Sequence, residues 1–259
     1  MGHGEYIKIL REMATEMYEE VWSSYDRYSG KVSYSELGRI LDYASANAAF
    51  RYIVREGLDL GVISEEWPAK KELKFPVLIV DPVDGTNNLS RGIRFSCISL
   101  SIAMGDDLDS IVAGLVMDLF NKDIYWATKG GGAYRNGDRI SVNKPGGMRD
   151  LFVSVVIDRS IAKPAIMNLL SRVKILRFFG SSALELSLVA SGHLDAFIDL
   201  RGKLRIYDFA PGYLLVREAG GYVYTSYKDG SRPLISKVEG YKIIASSSDW
   251  FLDRFLKII

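Results

Sequence analysis

The segment Phe75-Pro76-Val77-Leu78-Ile79-Val80 is short, continuously apolar and rich in β-branched residues, and it runs without a linker into Asp81-Pro82-Val83-Asp84-Gly85-Thr86. Such a run reads as a buried strand, because no polar residue alternates within it. A strand covered on both faces requires a layered chain, with other elements packed on either side. It also sets an acidic motif at the strand's C-terminal end, where Asp81 and Asp84 flank a predicted turn and can aim at one point. Pro82 fixes the backbone inside that turn, Gly85 lets the chain approach a phosphate closely, and Thr86 offers a hydroxyl.

Upstream, apolar residues at helical spacing predict helices over 6–28 and 34–57, joined by a polar loop at Ser29-Gly30-Lys31. Downstream, segments 95–103, 111–117 and 123–128 predict further strands of one sheet. Asn136-Gly137-Asp138, followed by Asn143-Lys144-Pro145-Gly146-Gly147, is the richest turn region and marks a predicted boundary between an α+β half, 1–145, and an α/β half, 146–259. In the second half, strands are predicted over 151–157, 174–179 and 194–200, with helices over 164–173 and 182–190. A helix over 208–219 stops at Gly220-Gly221, where glycine closes helices readily. Strands over 222–224 and 242–245 and a helix over 249–258 complete the chain.

Composition narrows the chemistry. The chain has 259 residues, a formal net charge of +1, one cysteine and two histidines. A near-neutral charge gives no overall attraction to nucleic acid or an anionic membrane surface, so any anion binding must be local. The single cysteine, Cys97, excludes an intramolecular disulfide and a cysteine-rich metal site. His3 and His193 are too few for a histidine zinc site or a triad with spare partners, which leaves the work to carboxylates. The N-terminus has no apolar core of signal-peptide length and no run is long enough to span a bilayer. A soluble cytoplasmic protein without a nucleic-acid or membrane partner is expected.

Ser64-Glu65-Glu66 lies just upstream of the apolar strand, so that two acidic clusters bracket it. Hard divalent cations prefer oxygen ligands, and ions sharing carboxylates can hold a phosphate between them. Asp-Gly-Thr alone is a common turn and Glu-Glu a common surface pair. Their combination with the strand's acidic end points to a metal site.

On these residues the chain resembles the inositol monophosphatase superfamily, particularly archaeal members acting on inositol phosphates and fructose 1,6-bisphosphate. The resemblance spans nearly the whole chain and rests on Ile63-Ser64-Glu65-Glu66, Asp81-Pro82-Val83-Asp84-Gly85-Thr86-Asn87, Phe179-Gly180-Ser181-Ser182-Ala183 and Tyr207-Asp208-Phe209-Ala210-Pro211-Gly212. It implies an α/β (α+β) chain with the layered αβαβα sugar-phosphatase fold and two sheets. It also implies metal ligation by Glu65, Asp81, Asp84, Asp208 and the Val83 carbonyl, with Glu66 a weaker candidate. Thr86 paired with Asp42 would orient the attacking water, and Lys31 matches a catalytic-loop lysine. Pro211 departs from the family pattern, where a small residue is more usual.

Plainer roles stand beside these. Asp42 also reads as an ordinary helix residue, Lys31 as a solvated side chain, and Asp208 as the N-cap of the helix beginning after it. Ser181 and Ser182 suit either phosphate binding at a helix start or simple capping. Arg177 precedes that site, and Arg201, Lys203 and Arg205 form a basic stretch, of which Arg201 is suited to a bidentate bond with a second phosphate. Asp84, Gly85 and Thr86 complete the expected substrate contacts. The resulting expectation is a Mg2+-dependent phosphatase with two or three ions, Mn2+ being a possible substitute. It would act as a homodimer on a small phosphorylated sugar or polyol. The competing readings are a 3′-phosphoadenosine 5′-phosphate phosphatase and a non-catalytic interaction protein on the same fold.

Overall fold

The computed structural model describes residues 2–67, 73–156, 158 and 163–259. Its first two helices are α1 (His3–Tyr28) and α2 (Tyr34–Arg55). On α1 the residues Tyr6, Leu10, Met13, Met17 and Val21 recur every three or four positions and are all buried, forming one apolar stripe. Ser33 caps α2, its hydroxyl accepting the Glu36 N–H.

A seven-stranded sheet follows: β1 (Gly61–Ser64), β2 (Val77–Asp84), β3 (Cys97–Ala103), β4 (Ile111–Asp118), β5 (Ile124–Thr128), β6 (Gly132–Arg135) and β7 (Asp138–Ile140), joined in chain order. Only β1 and β2 pair in parallel; the remaining neighbours are antiparallel. Asn136 and Gly137 both have positive φ, 53° and 98°, and close the β6–β7 hairpin with the twist that antiparallel strands favour. The short helix α3 (Thr86–Ser90) leaves the end of β2.

The second sheet has five strands: β8 (Phe152–Val155), β9 (Ile175–Arg177), β10 (Ala196–Arg205), β11 (Tyr222–Tyr227) and β12 (Glu239–Ser246), in the order β11-β12-β10-β8-β9. Its β8–β10 and β8–β9 pairs are parallel. The remaining helices are α4 (Pro164–Leu170), α5 (Ser182–Ala190), α6 (Ile206–Glu218) and α7 (Asp249–Leu256).

Three apolar clusters define the layers. Leu78, Val80, Ile98 and Leu100 pack against α1 and α2 on one face of the first sheet. Ile79, Cys97 and Val116 pack with α5 and α6, which also contact Phe197 and Ile243 of the second sheet. The outer face of the second sheet, including Val153, Ile198 and Ile244, is covered by α4 and α7. This is the αβαβα order that the resemblance implied, with residues from both sides of position 145 in the central cluster. The doubly covered strand explains why the run leading to Asp81 has no polar alternation.

Several boundaries differ from expectation. β2 does not stop at Val80 but runs on to Asp84, and β10 runs on past the predicted end at Leu200 to Arg205, through the basic stretch. The predicted strand over 151–157 is shorter, and Ile157 lies outside the described residues. Asp208 is not the N-cap of α6; it sits one turn inside, and Arg205 is the N-cap.

Helix α6 carries Pro211 in its interior, which leaves the Tyr207 carbonyl, four residues earlier, without its helical N–H partner. The Ser99 hydroxyl of β3 donates to that carbonyl at 2.8 Å. The helix also approaches the sheet closely: a Cβ on Gly114 of β4 would lie 2.9 Å from the Pro211 Cα. On its other side Gly212 faces α5, where an added Cβ would lie 2.5 Å from the Leu186 Cβ.

Glu185 of α5 is buried, with its carboxylate accepting the Gly180 N–H at 3.0 Å and the Ser154 hydroxyl. Burial pushes its pKa up to about 7, against the opposing effect of these hydrogen bonds. The side chain thereby fixes the loop that leads into α5.

Two measurements test this packing. Gly212→Ala should unfold at lower urea than the wild type, because overpacking costs on the order of 1–3 kcal/mol, more than the roughly 1 kcal/mol of helix propensity gained. For Glu185, the unfolded chain loses its proton near the ordinary 4.5 and the folded chain near 7, so wild-type stability falls as pH rises through that window and levels off above it. Glu185→Gln has no such proton, so its stability relative to wild type should rise from pH 5 to pH 8. A pH-independent difference between the two would show that Glu185 is ionised throughout.

Candidate active site

In a regular strand, residues three apart point to opposite faces. In β2, Asp81 pairs with Ser99 and Asp84 with Cys97, so three steps along β2 match two along β3. The extra residue is a bulge, and it returns Asp81 and Asp84 to the same face, the one towards α5 and α6. The predicted turn between the two aspartates is therefore a strand irregularity. Gly85 follows with φ +89°, and a Cβ there would lie 3.0 Å from the Phe95 carbonyl oxygen and 3.2 Å from the Ser181 Cβ. Glycine is needed for both the backbone angle and the close approach.

Helix α2 reaches the motif from the opposite layer. Its Ser45 hydroxyl donates to the Pro82 carbonyl at 2.8 Å. Gly38 lets the helix come so near that an added Cβ would lie 3.0 Å from the Thr86 methyl carbon. One turn on, Asp42 Oδ1 lies 2.9 Å from the Thr86 hydroxyl, which is also 2.7 Å from the Val83 carbonyl oxygen. The single hydroxyl proton serves one of these acceptors at a time.

The second half of the chain brings two helix starts. Asp84 Oδ2 accepts the Ala183 N–H at 2.7 Å and the Ser181 hydroxyl at 2.9 Å, so this carboxylate caps α5 across the inter-sheet layer. Asp208 Oδ2 accepts the Arg205 backbone N–H at 2.8 Å in the first turn of α6. The Arg205 guanidinium then links Asp208, at 3.2 Å, to Glu65. Its charge lies over the Tyr207 ring, 4.7 Å from the centroid.

Glu65, Asp81, Asp84 and Asp208 thus line one cleft, with Asp42, Gly85, Thr86, Ser182 and Arg201 in its wall. Its volume of about 470 Å³ suits a small ligand. Crowding and burial act together on its acids. Asp81 is pushed well above the ordinary carboxylate range by burial and then by Asp84, Asp208 and Glu65. Asp84 is raised to about 8 by burial and by Asp208, despite its bonds to Ala183 and Ser181. Burial raises Asp208 against the pull of Arg205, and raises Asp42 to about 7. Carboxylates gathered in this way can ionise together only beside added positive charge. Their hard oxygens can hold a divalent cation such as magnesium. Among the described residues, however, no three acidic side chains converge as a ready ligand set, and the Arg205 guanidinium stands between Glu65 and Asp208.

The structure leaves some expected residues outside this cleft. The Lys31 amine donates to the Arg27 carbonyl at 2.7 Å, in the turn after α1. Arg177 donates to the Leu176 carbonyl and lies over the Phe152 ring. Arg201 reaches the cleft wall, but its Nε and Nη2 are forked onto Asp199 at 3.0 and 2.6 Å. Ser181 lies behind the wall, buried between Asp84 and Cys97, while Ser182 lines it. Three positions the sequence reading left aside bear on the site. Arg205 is one member of a basic run in the sequence, and Glu185 lies within the predicted helix over 182–190 with nothing local to distinguish it. Asn88, beyond the quoted Asp-Gly-Thr-Asn motif, ties the Phe95 and Phe179 carbonyls together at 2.9 and 2.7 Å.

Comparison with known proteins finds relatives of this chain. The profile of the inositol monophosphatase family matches residues 11–255. A fructose-1,6-bisphosphatase/inositol-1-monophosphatase of Thermococcus kodakarensis is 34% identical over 200 residues, covering 77% of this chain and 75% of its own. A protein of the same name from Archaeoglobus fulgidus is 34% identical over 232 residues, covering 86% and 85%. In fold, the crystal structure of inositol monophosphatase-II from Staphylococcus aureus superposes with a TM-score of 0.80 at 22% identity, over 96% of this chain and 91% of the other. No helix among the described residues is long and apolar enough to cross a membrane. With the acidic cleft, the bulged Asp81–Asp84 strand and the match over almost its full length, the chain belongs to the inositol monophosphatase family and is a phosphatase of that family.

Proposed function

We propose that this phosphatase is magnesium-dependent and hydrolyses phosphate monoesters of small sugars and polyols, with fructose 1,6-bisphosphate and inositol 1-phosphate as its substrates. The observation that carries this reading is that Glu65, Asp81, Asp84 and Asp208 all line one cleft, beside the Thr86–Asp42 pair. The two archaeal relatives named for both activities support the substrate class. Glu65, Asp81, Asp84, Asp208 and the Val83 carbonyl would hold two or three magnesium ions, with manganese as a substitute. Bound magnesium supplies positive charge that neutralises the phosphate and acidifies water.

The chain's own groups supply orientation. With the Val83 carbonyl engaged elsewhere, Asp42 is the acceptor left for the Thr86 proton, so the Thr86 oxygen is free to accept a hydrogen bond from a water and fix its position. Gly85 and Ser182 form the wall on which the phosphoryl oxygens would rest. Arg201, held by Asp199, is a preset cation for a second phosphate. Lys31 and Arg177 stand outside this arrangement. A homodimer is part of the proposal, and both halves of the chain, 1–145 and 146–259, build the cleft.

Phosphate release from fructose 1,6-bisphosphate, inositol 1-phosphate and 3′-phosphoadenosine 5′-phosphate should be measured with magnesium, after chelation, and after magnesium is restored. Chelation should abolish turnover of the first two substrates and magnesium should recover it. Asp84→Asn should lower kcat/KM by more than about 100-fold, and near-normal turnover in the folded variant would overturn the site. Thr86→Ala and Asp42→Asn should each lower kcat by about 10²–10³, with smaller effects on KM. Lys31→Ala should stay close to wild type.

A further inference from the structure

Arg205 is placed unlike any other basic residue of the cleft. Its backbone is pinned, because the Asp208 carboxylate accepts its N–H and it begins α6. Its side chain is long, partly exposed, and reaches across the opening to join Glu65 with Asp208. One guanidinium therefore bridges two carboxylates that arrive from opposite halves of the chain. Its charge also opposes the crowding of the acids, favouring the ionised forms of Asp42, Glu66, Asp81 and Asp208.

We propose that Arg205 is a displaceable internal cation, which neutralises Glu65 and Asp208 until a divalent ion takes its place and which thereby sets the affinity of the cleft for that ion. The inference rests on the reading of the cleft as a magnesium site. Magnesium demands oxygen ligands at about 2.0–2.1 Å in near-octahedral order. Glu65 and Asp208 can meet that demand only if the guanidinium nitrogens now between them withdraw. Two cations do not share that space, so binding is an exchange. The exchange needs no backbone movement, because the Arg205 N–H stays on Asp208 Oδ2 while the partly exposed guanidinium, which rests on the Tyr207 ring, withdraws from the two carboxylates. A competitor built into the chain lowers the apparent affinity for the ion by the fraction of time it holds the carboxylates.

A purely structural Arg205 predicts the opposite outcome, since losing it would disorder Glu65 and Asp208 and weaken ion binding. Isothermal titration of magnesium chloride into chelator-stripped wild type, Arg205→Gln and Arg205→Lys separates the two. The Gln variant should bind magnesium about 5- to 50-fold more tightly than wild type, and the Lys variant, which cannot bridge both carboxylates as a fork, should fall between. In chelator the Gln variant should melt below wild type, and saturating magnesium should raise its Tm by more. Equal or weaker magnesium binding by a folded Arg205→Gln overturns the inference. If that variant does not fold, Arg205→Lys decides, with tighter binding in support and equal or weaker binding against. Magnesium uptake by wild type without a gain in the variants removes only this inference, whereas no uptake by any of the three removes the reading of the cleft with it.

Discussion

A regular strand cannot aim two carboxylates spaced as Asp81 and Asp84 are in the same direction, and everything else at the cleft depends on how β2 escapes that rule. The bulge against β3 returns both to the face shared with α5 and α6. Once they lie there, both are buried and crowded by Asp208, and Asp81 also by Asp84 and Glu65, which raises their proton affinity and creates the demand for positive charge. The covering helices are not incidental to this, because they keep water from dispersing the charge. Chemistry and packing meet in the same strand.

Asp84 shows how one side chain serves both. One carboxylate oxygen receives two donors at the start of α5, and the Asp84 backbone belongs to the first sheet. It is a tie between the two halves of the chain as well as a wall of the cleft. Asp208 plays a comparable part at α6, where it closes the first turn and faces the cleft. Residues of this kind satisfy helix ends that would otherwise expose unpaired N–H groups, so the acidic set of this chain is partly a folding requirement.

Much of this was legible in the sequence because local and tertiary preferences agree. The helix over 182–190 was placed correctly since its apolar residues, its serine start and its position between strands all point one way. The acidic motif stood out because charge directly after a buried strand is rare without a purpose. What escaped was set by distant partners. β10 continues through Arg201-Gly202-Lys203 because β12 pairs with it on both sides of an irregularity, and no local pattern announces that pairing. Arg205 could not be singled out from Arg201 or Lys203 by composition, since its distinguishing contact, Glu65, lies far away in the chain. Glu185 likewise looks like a surface residue until the loop at Gly180 and the strand at Ser154 close around it.

Pro211 in the interior of α6 is easily taken for a local defect, yet the carbonyl it frees is taken up by Ser99 in the strand next to β2. In a smooth helix the backbone hydrogen bonds are all internal, so side-chain packing alone sets its rotation against a sheet. This one is keyed to its neighbour through a bond that exists at one rotational phase only. Because Asp208 stands beside Tyr207, the key also fixes the direction in which that carboxylate points, so an irregularity in the helix becomes the aiming device of a side chain at the cleft.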